Sequence, residues 1–230
     1  MNNEFFGESV TNENIGGIED IFIDLLLSLS SMSETPSVEI VYDHNRRCGL
    51  VAEELCKHLD VDQLCDADKA LFSSSPKIIK YMSTACMLHD IGKSQTPAEL
   101  LMKPSGLSTA EMQMMKEHTT FPDDTLFENF AGTNNVFIQL LQACVRSHHE
   151  LYNGLGYPDG LVATDIPFIG RLMAVIDSLD NIISETFYSK ANTFETAQQI
   201  IHSNSGIRFD PVIVHALDKA KDGIKAIYEQ

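Results

Sequence analysis

Two runs of adjacent residues carry the chemistry of this chain. His89-Asp90 ends the apolar stretch STACMLHD, and His148-His149-Glu150 ends FIQLLQACVRSHHE. Neutral imidazole and carboxylate are the donor set of borderline first-row divalent metals. Adjacent helical residues diverge by about 100°. Such a couplet therefore serves one ion awkwardly and two neighbouring ions well. Two couplets at helix ends point to a dinuclear centre in the core of a helical bundle. A lone histidine on an apolar helix face is ordinarily a hydrogen-bonded core residue, and His58, His202 and His215 are read that way. The balance of 16 Lys and Arg against 33 Asp and Glu gives a net charge of −17. That acidity suits a cation cluster, which needs compensating charge. It repels nucleic-acid backbones and anionic membranes, so neither DNA, RNA nor a membrane is an expected partner.

The elements that must position these residues read as helices. At 230 residues with 43% hydrophobic content, the chain can bury one sizeable core. Apolar residues at 18, 21, 22, 25, 26 and 29 have helical spacing, and a Ser-rich break with Pro36 follows. Further helices are predicted over 38–59, 77–91, from the Ser108–Glu111 capping box onward, 135–150, 165–185, 194–203 and 211–228. Gly92 reads as a C-terminal helix stop, and 60–76 as irregular. There is no alternating strand pattern. The expected fold is all-α, a helical bundle (residues 38–230) preceded by an extension (1–37) with one amphipathic helix. That helix is expected to pack on its own core. The polar start and the absence of a long apolar run predict neither a signal peptide nor a membrane span. The five cysteines lack CxxC spacing and read as buried apolar residues in a cytoplasmic protein.

Taken in order, His89-Asp90-Ile-Gly-Lys93, Lys103-Pro-Ser-Gly-Leu107, His118, His148-His149-Glu150, Gly156-Tyr157-Pro158 and Asp177 resemble the HD-GYP family. These are bacterial cyclic dinucleotide phosphodiesterases of the HD metal-dependent phosphohydrolase superfamily, so the resemblance implies that the bundle is of the HD type. The segment from His44, with an Arg three residues on, resembles the family's first ligand helix, and GIRFDP at 206–211 its closing motif. The resemblance implies that His44, His89, Asp90 and Asp177 hold one metal. Asp90 would bridge to a second held by His118, His148 and His149. The implied reaction is attack of a metal-bridging hydroxide on a phosphodiester, most readily of cyclic di-GMP. Iron or manganese suits the mixed donor set. Asp90 and Lys93 would be catalytic, and Lys93, Lys190 and Tyr157 would contact substrate. The loop Gly156-Tyr157-Pro158 would line the site mouth and offer a surface to diguanylate cyclase (GGDEF) proteins. A homodimer is compatible with the sequence.

The chain also departs from that pattern. The stretch between His44 and His89 is long for the family, which makes His58 the rival first ligand. Ile40 stands where a third-metal Glu would be, which argues against a trinuclear site. Thr186 and Ser189 stand where phosphate-gripping cations are usual, with Lys190 adjacent, and Pro122 replaces a usual Gly. These changes motivate two alternatives. One is the same chemistry on cyclic GMP-AMP or a linear dinucleotide. The other is a weakly active module working through protein contacts.

Overall fold

The computed structural model describes residues 18–34, 38–103, 106–184 and 192–229. Thr186, Ser189 and Lys190 lie outside the described residues. Among the described residues the fold is all-α: α1 (Ile18–Glu34), α2 (Val38–Lys57), α3 (Asp66–Ser73), α4 (Ile78–Met87), α5 (Ala98–Leu101), α6 (Thr109–Lys116), α7 (Phe121–Thr125), α8 (Val136–Ser147), α9 (Phe168–Ile183), α10 (Phe194–Ser203), α11 (Pro211–Lys219) and α12 (Lys221–Tyr228). Short 3₁₀ turns join them, among them Ile91–Gln95 and Glu117–Thr119.

Helix α9 is apolar nearly all round, and Phe168 through Ile176 are all buried. A helix of that composition belongs in the middle, and α2, α4 and α8 pack against it and in sequence against one another. Each of these three carries one buried stripe: Cys48, Val51, Ala52 and Leu55 on α2, Met82, Ala85 and Cys86 on α4, Leu141, Cys144 and Val145 on α8. His44 lies one turn before the α2 stripe. His89 and His148 lie one turn beyond the α4 and α8 stripes. These candidate ligands thus continue the core faces of α2, α4 and α8.

Helix α1 packs along α2 and reaches the Ile91–Gln95 turn. The predicted break does not begin at Ser30, because the helix runs through Ser30 and Ser31, both buried, to Glu34; Pro36 lies outside the described residues. Ser31 Oγ donates to the Leu27 carbonyl, which satisfies a polar group inside the helix. The supposedly irregular 60–76 contains α3. Its buried Asp68 accepts from Arg171 at 2.7 Å, and Arg171 also pairs with Asp210, the N-cap of α11. That buried triad ties α3 and the 206–211 segment to α9.

Helix boundaries differ from expectation at four further places. Helix α4 ends at Met87, α8 at Ser147, and α9 starts after Pro167, while 211–228 divides at Ala220. Gly92 is not a helix stop. A Cβ there would lie 1.9 Å from the His118 carbonyl oxygen and 2.9 Å from Pro122 Cγ. Glycine lets the Ile91–Gln95 turn press directly onto the turn that carries His118, and Pro122 packs into the same contact.

Candidate metal centre

Three imidazoles converge on Asp90 with their tautomers fixed. The Nδ1 of His89 bonds the Cys86 carbonyl at 2.9 Å, that of His118 the Met115 carbonyl at 2.6 Å, and that of His148 the Val145 carbonyl at 2.9 Å. A carbonyl only accepts, so each Nδ1 carries the proton and each Nε2 presents a lone pair. His118 Nε2 lies 3.4 Å and His148 Nε2 3.6 Å from Asp90 Oδ1, and His89 Nε2 lies 3.1 Å from Oδ2. All four side chains are buried. His89 Nε2 and Asp90 Oδ1 have no hydrogen-bond partner. Buried acceptors without donors are costly, and acceptors facing one another call for a cation. The donor set therefore fits a metal ion.

Asp90, His118, His148 and His149 form one group of potential ligands with donor atoms within 4.8 Å, and His44, Cys48 and His89 a second. Asp177 adjoins the second group, with Oδ1 3.7 Å from His44 Nε2, and it also accepts from Asn181 at 2.7 Å. All seven expected ligands thus lie in one place. His58 does not join them: it turns to the carbonyl and carboxylate of Glu54 on its own helix.

Burial lowers the pKa of His89, and lowers that of His118 to about 4. His149 is held well below its ordinary value by burial and by His148 beside it. These rings stay neutral and able to coordinate. Burial alone would raise Asp90, but the positive charge of Lys93 holds it well below the carboxylate range. Lys93 Nζ donates to Asp90 Oδ2.

Several supporting residues were not legible in the sequence. Asp180 accepts from His44 Nδ1 at 2.7 Å and takes Arg47 bidentately, at 2.7 and 2.9 Å. It therefore orients the ring as carboxylates orient metal-binding histidines. Burial would lower His44, but Cys48 and Asp180 carry it well above its ordinary value. The Cys48 thiol, pushed up to about 12 by burial, lies 3.7 Å from His44 Nε2. Glu150, read with the second couplet, points away from the metal cluster. Its carboxylate accepts from the main-chain N–H groups of Asp159 (2.7 Å), Gly160 (3.0 Å) and Leu161 (3.1 Å). It thereby closes the loop containing Gly156-Tyr157-Pro158. A Cβ at Gly156 would stand 2.3 Å from Leu151 N, so the loop folds back on its own start. Tyr157 stacks on His149 at 4.8 Å between centroids, with Lys116 Nζ 4.7 Å from the centre of its ring.

A cleft of about 470 Å³ opens beside the cluster, lined by His148, His149, Tyr157, Asp177, Asn181 and Arg208 among others. That volume lies in the range of small-molecule sites. No helix among the described residues is long and apolar enough to cross a membrane.

The HD domain family profile matches residues 37–213. A cyclic di-GMP phosphodiesterase of Thermotoga maritima is 29% identical over 226 residues, covering 98% of this chain and 56% of that protein. The cyclic di-GMP phosphodiesterase response regulator RpfG of Xanthomonas campestris pv. campestris is 36% identical over 156 residues, covering 68% of this chain and 40% of that protein. The chain thus spans about half the length of the curated relatives it matches. Among solved structures, the HDGYP protein Bd1817 of Bdellovibrio bacteriovorus superposes with a TM-score of 0.54 at 18% identity. That match covers 91% of this chain and 66% of that one, a likeness of fold.

Proposed function

The chain belongs to the HD domain family, in its HD-GYP branch, and from that premise we propose that it hydrolyses a phosphodiester bond of a cyclic dinucleotide, cyclic di-GMP before others. The observation that carries this reading is the convergence of three tautomer-fixed imidazoles on a buried, donorless Asp90 oxygen. In this reading His44, His89, Asp90 and Asp177 hold one divalent ion, and Asp90, His118, His148 and His149 a second, iron or manganese in both cases. Such ions supply Lewis-acid polarisation of the phosphoryl group and an acidified water.

The protein's own part is preorganisation. Asp90 stays ionised between the two groups of donors. The main-chain carbonyls hold the imidazoles neutral and aimed. Lys93 sets positive charge at the edge of the cluster, where it both steadies Asp90 and grips a phosphate oxygen. Tyr157, stacked on His149, forms the wall against which the nucleotide rests, and Lys190 is a further candidate substrate contact. The loop at Gly156-Tyr157-Pro158 is offered as a docking surface for GGDEF proteins. In this reading residues 1–37 are an extension to the catalytic domain of 38–230, and the protein works in the cytoplasm.

The test is anaerobic reconstitution with Fe(II) or Mn(II), metal analysis, and chromatography of cyclic di-GMP digests. Bound metal with turnover supports the reading. A protein that takes up no metal and cleaves no cyclic dinucleotide refutes it. Faster cleavage of cyclic GMP-AMP than of cyclic di-GMP would keep the chemistry and change the substrate.

A further inference from the structure

A cyclic dinucleotide carries two phosphates, and the metal cluster accommodates the one being cleaved. The other needs a cation of its own, in a chain with a net charge of −17 that offers an anion no general attraction. Most cations near the site already face carboxylates: Lys93 faces Asp90, Arg47 faces Asp180, and Arg146 faces Asp123 and Asp159. Arg208 differs. It is the one positively charged side chain among the described residues lining the cleft that holds His148, His149 and Asp177. Its guanidinium rests 5.6 Å from the centroid of Phe209, a buried ring, and has no carboxylate partner among the described residues.

The main chain at Arg208 is firmly held. Its N–H donates to the Asn204 carbonyl at 2.9 Å, and its carbonyl accepts from Tyr152 N at 3.1 Å. The preceding carbonyl, of Ile207, accepts from Asn153 N at 2.9 Å. Tyr152 and Asn153 open the loop that carries Tyr157. Arg208 is therefore mounted on the same frame as the wall of the cleft, so placing it costs little further ordering. The guanidinium is a planar fork suited to phosphate oxygens.

We propose that Arg208 binds the second, non-reacting phosphate of the dinucleotide. The proposal rests on the function argued above. It makes Arg208 a substrate-binding residue that stands apart from the metal cluster.

The test compares wild type, Arg208→Ala and Arg208→Lys in the metal-loaded protein on three substrates. These are cyclic di-GMP, cyclic di-AMP and bis(p-nitrophenyl) phosphate, which has a single phosphate. The expected result for Arg208→Ala is a KM for both cyclic dinucleotides raised roughly ten- to a hundredfold. Its kcat should be little changed, bis(p-nitrophenyl) phosphate unaffected, and Arg208→Lys intermediate. An unchanged KM overturns the proposal and leaves the phosphodiesterase reading intact. A rise confined to cyclic di-GMP overturns it in favour of guanine recognition. An equal loss on bis(p-nitrophenyl) phosphate overturns it in favour of a general disturbance of the site. Failure of the wild type to cleave either dinucleotide ends both proposals.

Discussion

The Nε2 atoms of His118 and His148 stand 3.3 Å apart, and neither can donate to the other, because each ring spends its proton on a main-chain carbonyl through Nδ1. Two lone pairs held at that separation match an edge of a coordination sphere with metal–nitrogen bonds of about 2.0–2.1 Å. Asp90 supplies the charge between them.

Asp90→Asn should therefore remove the cluster's negative centre without unfolding the protein, since the core stripes of α2, α4, α8 and α9 are untouched. Metal affinity should fall by about tenfold or more at both positions. Metal analysis after gel filtration, with circular dichroism as the control for fold, checks this. Retention of the full metal complement would contradict the bridging role.

His44→Ala should deplete metal far more than His58→Ala. His44 lies against Asp177 and Asp180, whereas His58 bonds back to Glu54 on its own helix. The reverse result would mean that α2 is aligned wrongly against α9.

Glu150→Gln should loosen the loop while leaving the cluster's donors in place. A side-chain amide cannot accept from all three N–H groups that the carboxylate now serves, and each lost partner costs about 1–3 kcal/mol. At roughly 2–4 °C per kcal/mol for a domain of this size, the melting temperature should drop measurably. Proteolysis should also begin near Gly154–Leu161. An unchanged melting curve would show that the three contacts carry no weight.

What the sequence made legible follows from where the information sits. The His89 and His148 couplets were visible because they prolong apolar stripes at helical spacing. His118 is legible only through the family resemblance, since MMKEHTT by itself looks solvent-facing. Its burial comes from a contact 26 residues away, where Gly92 lets one turn settle on the other. Asp180 and Arg47 stand 133 residues apart in the chain, and no local pattern announces their pairing. Helix α3 escaped because its buried position is an aspartate, Asp68, whose partner Arg171 is equally remote. Arg208 was passed over within GIRFDP because its meaning comes from the cleft it faces.

The metal-free protein should be most stable near pH 6.5. His118 falls from 6.5 to about 4 on folding, so the unfolded chain binds more protons in that window and stability drops as pH falls through it. His89 and His149 act in the same direction. His44 is raised, so its contribution is complete below 6.5 and is lost as pH climbs through its folded value. Urea titrations of chelator-treated protein from pH 4 to 9 should give a maximum between two declining limbs. A monotonic curve would contradict these assignments.

The donors of the cluster are drawn from positions 44 to 177 and from five separate segments: α2, the turn after α4, the turn Glu117–Thr119, the end of α8, and α9. An ion seated among them ties remote parts of the chain together as a covalent staple would. In the chain-entropy account, a staple closing a loop of about 100 residues is worth roughly 4–5 kcal/mol against the unfolded ensemble. Binding that favours only the native form also adds stability in proportion to the logarithm of free ion concentration. Metal starvation would then do more than empty the site. It would shift the whole population toward chains open to degradation, so the abundance of the protein would follow the supply of its metal.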